Sequence, residues 1–179
     1  MIQRIFGERF RRSHLRSCWI LICLFLIVWI FIPRPDLLDH YSYSVSVMDR
    51  NEKLLRLTLS EDEKYRLPVR LEEVSDLLLR STLFYEDRGF YYHPGVNPIS
   101  IGRALWNEIR IGLGRSRVRV GGSTLTMQLA RIRYHLNTRS VTGKFIQVLR
   151  AIQLERHYSK KEIFEAYLTL APYGGNIEG

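Results

Sequence analysis

Cysteine is nearly missing from this 179-residue chain: there are two, Cys18 and Cys23, and both sit in one apolar run. That excludes a disulfide framework and a cysteine-based metal site. Acids are scarce too, 18 against 27 basic residues, for a formal net charge of +9. The imbalance is concentrated at the start. Residues 1–35 hold six basic residues and one acid, Glu8, so the other 21 basic and 17 acidic residues leave only +4. With no zinc-finger spacing and no RNP-like run, this charge does not indicate a nucleic-acid partner. It suits a surface that meets anionic lipid or pyrophosphate. Internal repeats and low-complexity segments are absent. The length allows one globular domain plus a short anchor, and no second catalytic domain.

What is present begins with a signal-anchor pattern. Arg4, Arg9, Arg11, Arg12 and Arg16 precede an uncharged run from Ser17 to Ile32. Those 16 residues make roughly 24 Å of helix, slightly short of the ~20 residues that span a bilayer. Snorkelling of Arg16 and Arg34, with Trp19 and Trp29 at the interfaces, covers the difference. No small-x-small cleavage site follows; Pro33-Arg34-Pro35-Asp36 stands there instead, which favours an uncleaved anchor. The arginine excess places the N-terminus in the cytoplasm and the rest beyond the membrane. The expected division is a basic tail at 1–16, a transmembrane signal anchor at 17–32, a linker with a β-hairpin at 33–64, and a domain from 65 to 179.

The hairpin rests on alternation of Tyr41, Tyr43, Val45 and Val47, a turn at Asp49-Arg50-Asn51, and a second apolar stretch through Leu54, Leu55 and Leu57. Beyond Pro68 the periods turn helical. Leu71, Val74, Leu77, Leu78 and Leu83 form one stripe, and Leu125, Leu129 and Ile132 another. Further helices are predicted over Pro98–Arg110, Lys144–Tyr158 and Ser159–Leu170, the last with Ser159 and Glu162 as a capping box. Between them, Ile109 to Val120 interleaves apolar residues, arginines and glycines. It reads as a mobile loop touching a membrane surface or, alternatively, as a solvated basic loop.

Three polar clusters are candidates for chemistry. The first is Glu86-Asp-Arg-Gly-Phe-Tyr-Tyr-His-Pro-Gly95, following a hydrophobic helix. Taken alone it also reads as a solvated pair, Glu86 and Asp87, beside a structural His93. The second is Gly121-Gly-Ser-Thr-Leu-Thr-Met-Gln-Leu-Ala-Arg131, in which Thr124, Gln128 and Arg131 share a helix face. A donor-rich helix start suits a phosphate or a sugar hydroxyl, although Ser123 or Thr124 also fits an ordinary N-cap. In the third, Thr142 to Leu168, Lys144, Gln147 and Ala151 share a face, while Leu149, Ile152 and Leu154 suit core packing.

Together, E-D-x-x-F-x-x-H-x-G at 86–95, G-G-S-T-x-T-x-Q-L at 121–129 and L-E-x-x-Y-S-K-x-E-I-x-E-x-Y-L at 154–168 resemble the family 51 peptidoglycan glycosyltransferases. Gln147 and the closing Ala171-Pro-Tyr-Gly-Gly-Asn-Ile-Glu-Gly179 look most like the 1C-type bifunctional penicillin-binding proteins. The resemblance implies a mainly α, lysozyme-like domain that polymerises lipid II into glycan strands and releases undecaprenyl pyrophosphate. Glu86 matches the family's catalytic glutamate, a general base on the acceptor 4-hydroxyl. Asp87 and His93 would shape the site, with Phe90 packed beneath. Ser123, Thr124, Gln128, Arg131, Lys144 and Gln147 would line the substrate. The implied partners are lipid II, the growing strand, membrane lipids and other cell-wall synthesis proteins, at the bacterial inner membrane.

The chain departs from the family pattern at Met127 (usually glutamine), Arg131 (lysine), Gly143 (arginine), Gln147 (glutamate) and Thr169 (asparagine). A divalent cation, magnesium or manganese, is left open as a cofactor, and Gln147 would weaken any such role for its position. The family's domain runs on past the last of these motifs, so the resemblance implies a C-terminally partial domain. That raises a second reading, an inactive membrane-tethered remnant that binds lipid II or a partner. A lytic muramidase of related fold would use its glutamate as an acid instead, and the second and third clusters disfavour it.

Overall fold

The computed structural model describes Trp19 and residues 33–115 and 121–179. The chain separates into two units, Met1–Pro35 and Asp36–Gly179. The predicted anchor at 17–32, Trp19 excepted, and the loop residues 116–120 lie outside the described residues. Among the described residues, no helix is long and apolar enough to cross a membrane.

The second unit is mainly helical with two small sheets. The predicted hairpin forms from β1 (Ser46–Met48) and β2 (Leu54–Leu57), paired antiparallel. Asp49 builds its turn by accepting the N–H groups of Asn51 and Lys53 at 2.7 and 2.9 Å. Val47, Met48, Leu54 and Leu55 stay exposed, so the alternation marks a strand without marking a core.

The second sheet joins distant parts of the chain. β3 (Tyr65–Arg66) lies parallel to β5 (Ile177–Glu178), which also pairs antiparallel with β4 (Pro172–Gly174). Arg66 is 2% exposed and holds this junction. Its Nη2 reaches Asp62 at 2.7 Å and Glu178 at 2.6 Å, its Nη1 donates to the Ser42 carbonyl at 2.7 Å, and its guanidinium lies over the Tyr41 ring. The hydrogen bond from Arg66, helped by Ser60, holds the Asp62 carboxyl well below the usual carboxylate range.

Five helices follow: α1 (Asp76–Glu86), α2 (Pro98–Gly112), α3 (Leu125–Arg133), α4 (Val141–His157) and α5 (Lys160–Leu170). Each starts on a side-chain cap from Ser75, Asn97, Thr124, Ser140 and Ser159 respectively. Ser159 and Glu162 complete the predicted capping box. The expected stripe from Leu71 to Leu83 is not one helix. Leu71–Glu73 forms a 3-10 turn, Ser75 caps a new start, and Leu77 ends 78% exposed while Leu71, Val74 and Leu83 pack on the core.

α3 is the central helix. Leu125, Met127, Leu129 and Ala130 are wholly buried against Ala151 and Leu154 of α4 and Ile163, Phe164 and Leu168 of α5. Burying one such side chain contributes about 1.5–3 kcal/mol, so α3 is fixed by its surroundings more than by its own helix propensity.

Arg66→Met should lower the unfolding free energy by roughly 3 kcal/mol, because it leaves the largely buried Glu178 carboxylate with only the longer Lys64 contact at 3.6 Å. Asp62 is depressed in the folded state, so its contribution is present above about pH 4 and is lost as the pH falls. Urea titrations across pH 3–6 should show that acid dependence in the parent chain and a flatter one in the variant.

Candidate active site

Glu86 is the last residue of α1, and the chain turns sharply just after it. Asp87 caps α1 through its backbone N–H to the Leu83 carbonyl, 3.0 Å away, and its side chain points inward, 7% exposed. There its Oδ1 and Oδ2 face His93 Nε2 at 3.0 and 2.9 Å, and Oδ2 also accepts the Leu125 N–H at 3.0 Å. A carboxylate at the N-terminus of α3 meets both free N–H groups and the positive end of the helix. One residue later in the cluster, Arg88 folds back over the Phe84 ring at 3.9 Å. Phe90 is 1% exposed, its ring 5.8 Å from that of Phe164.

The rest of the first cluster is fastened to α3, α4 and α5. Gly95 sits at φ +85°, and a Cβ there would meet the Ala151 carbonyl at 2.7 Å, so only glycine lets this turn lie against α4. Thr124 donates its hydroxyl to the Gly95 carbonyl at 2.5 Å and accepts the Met127 N–H at 3.1 Å. Thr126 donates to Glu155 at 2.5 Å, and Lys160 bridges Glu155 and the His93 carbonyl, both at 2.7 Å. Glu155 and Lys160 lie inside the third sequence pattern, yet nothing in their spacing assigned them this anchoring task.

These ties bring α1 and α3 together so that Gln128 Nε2 donates to Glu86 Oε2 at 2.5 Å. The pair stands between two clefts. One, of about 560 Å³, is bounded by Arg88, Asn97, Arg103, Ser123 and Thr124; the other, of about 540 Å³, by Thr82, Arg131, Tyr167 and Tyr173. Tyr85, Glu86 and Gln128 line both. Lys144 Nζ donates to Ser123 Oγ at 2.6 Å. Burial first, and then the charge of Arg131, lowers the Lys144 pKa below its ordinary value, so two cations crowd one region where an arriving anion is favoured.

The candidate residues therefore divide. Glu86, Ser123, Gln128 and Arg131 line the clefts, with Lys144 reaching Ser123. Asp87, His93, Thr124 and Gln147 are buried, their polar atoms spent largely on the protein itself. Gln147, 1% exposed, donates Nε2 to the Met127 carbonyl of α3 at 2.6 Å, while its Oε1 has no hydrogen-bond partner among the described residues. Gly143 also has a structural reason: a Cβ would lie 1.9 Å from the Asn137 carbonyl, so the turn before α4 leaves no room for an arginine. Thr169 accepts the Val69 N–H at 3.1 Å and ties α5 to the entry of the domain.

Among the described residues, no group of three or more His, Cys, Asp or Glu side chains converges as a metal site. Asp87 is taken up by His93 and α3, and position 147 offers an amide already engaged with α3. This donor set does not fit a divalent cation, and no step is derived through one.

The mainly helical architecture is what the three sequence patterns imply, and the comparison with known proteins identifies the family. The chain belongs to the transglycosylase family, whose family model, described as Transglycosylase, matches residues 51–179. It is similar to penicillin-binding protein 1C of Escherichia coli (strain K12), 41% identical over 172 residues that are 92% of this chain and 21% of that protein. It is also similar to penicillin-binding protein 1A/1B of Bacillus subtilis (strain 168), 35% identical over 126 residues, 70% of this chain and 13% of that protein. Penicillin-binding protein 1B of Vibrio cholerae serotype O1 (strain ATCC 39315 / El Tor Inaba N16961) is 36% identical over 116 residues, 65% of this chain and 14% of its own. The chain thus spans between 13% and 21% of the length of these curated relatives.

Gln147→Glu should be close to the parent in stability at pH 5 and weaker by roughly 3 kcal/mol at pH 8. The buried carboxyl keeps its donor to Met127 only while protonated, so burial raises its folded pKa and its contribution is lost as the pH rises. Thermal melts of the two chains at both pH values measure this; equal losses at pH 5 and pH 8 contradict it.

Proposed function

We propose that this chain carries the glycan-polymerising site of a peptidoglycan glycosyltransferase, joining lipid II units into strands for the bacterial cell wall. The observation that supports it most directly is Glu86, held by Gln128 at 2.5 Å on the partition between two clefts. A polymerase must hold two saccharides with their reacting atoms in contact, and a carboxylate shared by two subsites has that geometry.

In this reading Glu86 takes the proton of the acceptor 4-hydroxyl as that oxygen attacks the donor's anomeric carbon. The new C–O bond forms as the bond to the pyrophosphate oxygen breaks, undecaprenyl pyrophosphate departs, and an α-linked donor gives a β-linked product. Gln128 fixes one carboxylate oxygen and leaves the other for the acceptor. Lys144, Ser123 and Arg131 supply the positive and hydrogen-bonding surface on which departing negative charge is stabilised. Asp87, His93, Thr124 and Gln147 position these groups from beneath.

A lipid-linked substrate also requires a membrane surface. α2 and its C-cap Leu113 leave Ile99, Leu105, Trp106, Ile109 and Leu113 at least 54% exposed, with Arg103 and Arg110 on the same helix. Apolar side chains interleaved with arginines suit the lipid interface. With a signal anchor at 17–32, the domain would work on the outer face of the inner membrane beside other cell-wall synthesis proteins.

Glu86→Gln in the full-length protein should abolish lengthening of labelled lipid II, a loss of at least about a hundredfold for removal of a positioned base, with an unchanged melting temperature. Near-normal chain growth would refute the role of Glu86 and the reading built on it.

A further inference from the structure

Tyr167 belongs to none of the groups assigned above, although it lies inside the third sequence pattern. It is 8% exposed, and the part that stays open faces the cleft of about 540 Å³ shared by Glu86, Gln128 and Arg131. α5 presents it rigidly. Ile163, Phe164, Leu168 and Leu170 around it are at most 2% exposed, and the Ala171 N–H closes the helix on the Tyr167 carbonyl at 2.8 Å. The phenol itself has no hydrogen-bond partner among the described residues. Burial, then the charges of Glu86 and Tyr173, push its pKa up to about 12 against the opposing effect of Arg131, so it is a neutral donor at any working pH.

The rest of that cleft suits a sugar. Tyr173 donates to the Leu168 carbonyl at 3.3 Å and keeps its ring, 49% exposed, at the rim; Tyr85 is 83% exposed on the side next to Glu86. Aromatic faces cover the C–H faces of a sugar ring, while hydroxyl and amide groups at its edge need donors such as a phenol and a guanidinium.

Resting on the reading of Glu86 given above, we propose that Tyr167 is a glycan-binding residue whose hydroxyl donates a hydrogen bond to an oxygen of the saccharide held against Glu86. The ring belongs to the core and the hydroxyl to the substrate. Tyr167→Phe therefore separates the two, since it keeps the packing and removes only the donor.

The test uses the full-length protein with labelled lipid II. Loss of one hydrogen bond should raise KM about threefold to tenfold with kcat within about twofold and the melting temperature unchanged. In a Glu86→Gln background, where no turnover consumes the ligand, adding Tyr167→Phe should weaken lipid II binding by the same factor. An unchanged KM and an unchanged dissociation constant overturn the assignment of Tyr167 alone. Retained chain growth in Glu86→Gln instead overturns the reading beneath it, so the two failures are told apart.

Discussion

The arrangement depends on one buried carboxylate. Asp87 touches the first cluster through His93 and the second through the Leu125 N–H, each within 3.0 Å. An acid at 7% exposure is tolerated only where every approach to it is a donor. Here the donors are a histidine ring and the start of the central helix α3, so satisfying Asp87 sets the distance between α1 and α3. Glu86 and Gln128 then meet across that gap as a consequence. The same logic extends outward through Thr124 to Gly95 and through Thr126, Glu155 and Lys160 back to the His93 carbonyl. Removing any one of these partners leaves a buried polar group unpaired, which costs more than the bond itself contributes.

Much of this was legible in the chain because it is local. The caps at Ser159 and Thr124, the hairpin turn at Asp49 and the apolar face of α3 follow from short-range spacing, whereas of the expected α4 core positions Leu149, Ile152 and Leu154 only Leu154 is buried. The split between Leu71–Glu73 and α1 was missed because periodicity alone cannot show that Ser75 accepts the Leu78 N–H and restarts the helix. Arg66 was illegible for a different reason. Its partner Glu178 lies 112 residues away, and one arginine among 27 basic residues carries no sign that it will be buried. In the candidate site, the motif types carried no sign of the direction of each side chain. Ser123 and Gln128 face the clefts, Thr124 borders one while its hydroxyl is spent on the Gly95 carbonyl, and Gln147 faces the core, a separation set by the packing of α3 between α4 and α5.

The departures from the family pattern become local solutions when each is placed in space. Met127 is wholly buried, where a glutamine would need partners of its own. Gly143 is required by the Asn137 carbonyl. Thr169 serves both as donor to Glu165 and as acceptor for Val69. A carboxylate at 147 would face the Met127 carbonyl with no proton to give, whereas an amide bonds it and keeps α3 in register with α4.

Losing a cation at 143 and an anion at 147 together leaves the local charge balance of α4 unchanged, and the remaining charges are few enough to follow. Burial first, and then the nearby charge of Arg131, disfavours the protonated form of the half-buried Lys144. In the reading proposed above, a pyrophosphate held beside Lys144 would offset that penalty, because an opposite charge favours the protonated amine. In the same reading, release of the product restores the penalty. A site that elongates chains, as proposed, needs this asymmetry, because the leaving group must be held while the bond breaks and let go before the next unit can enter.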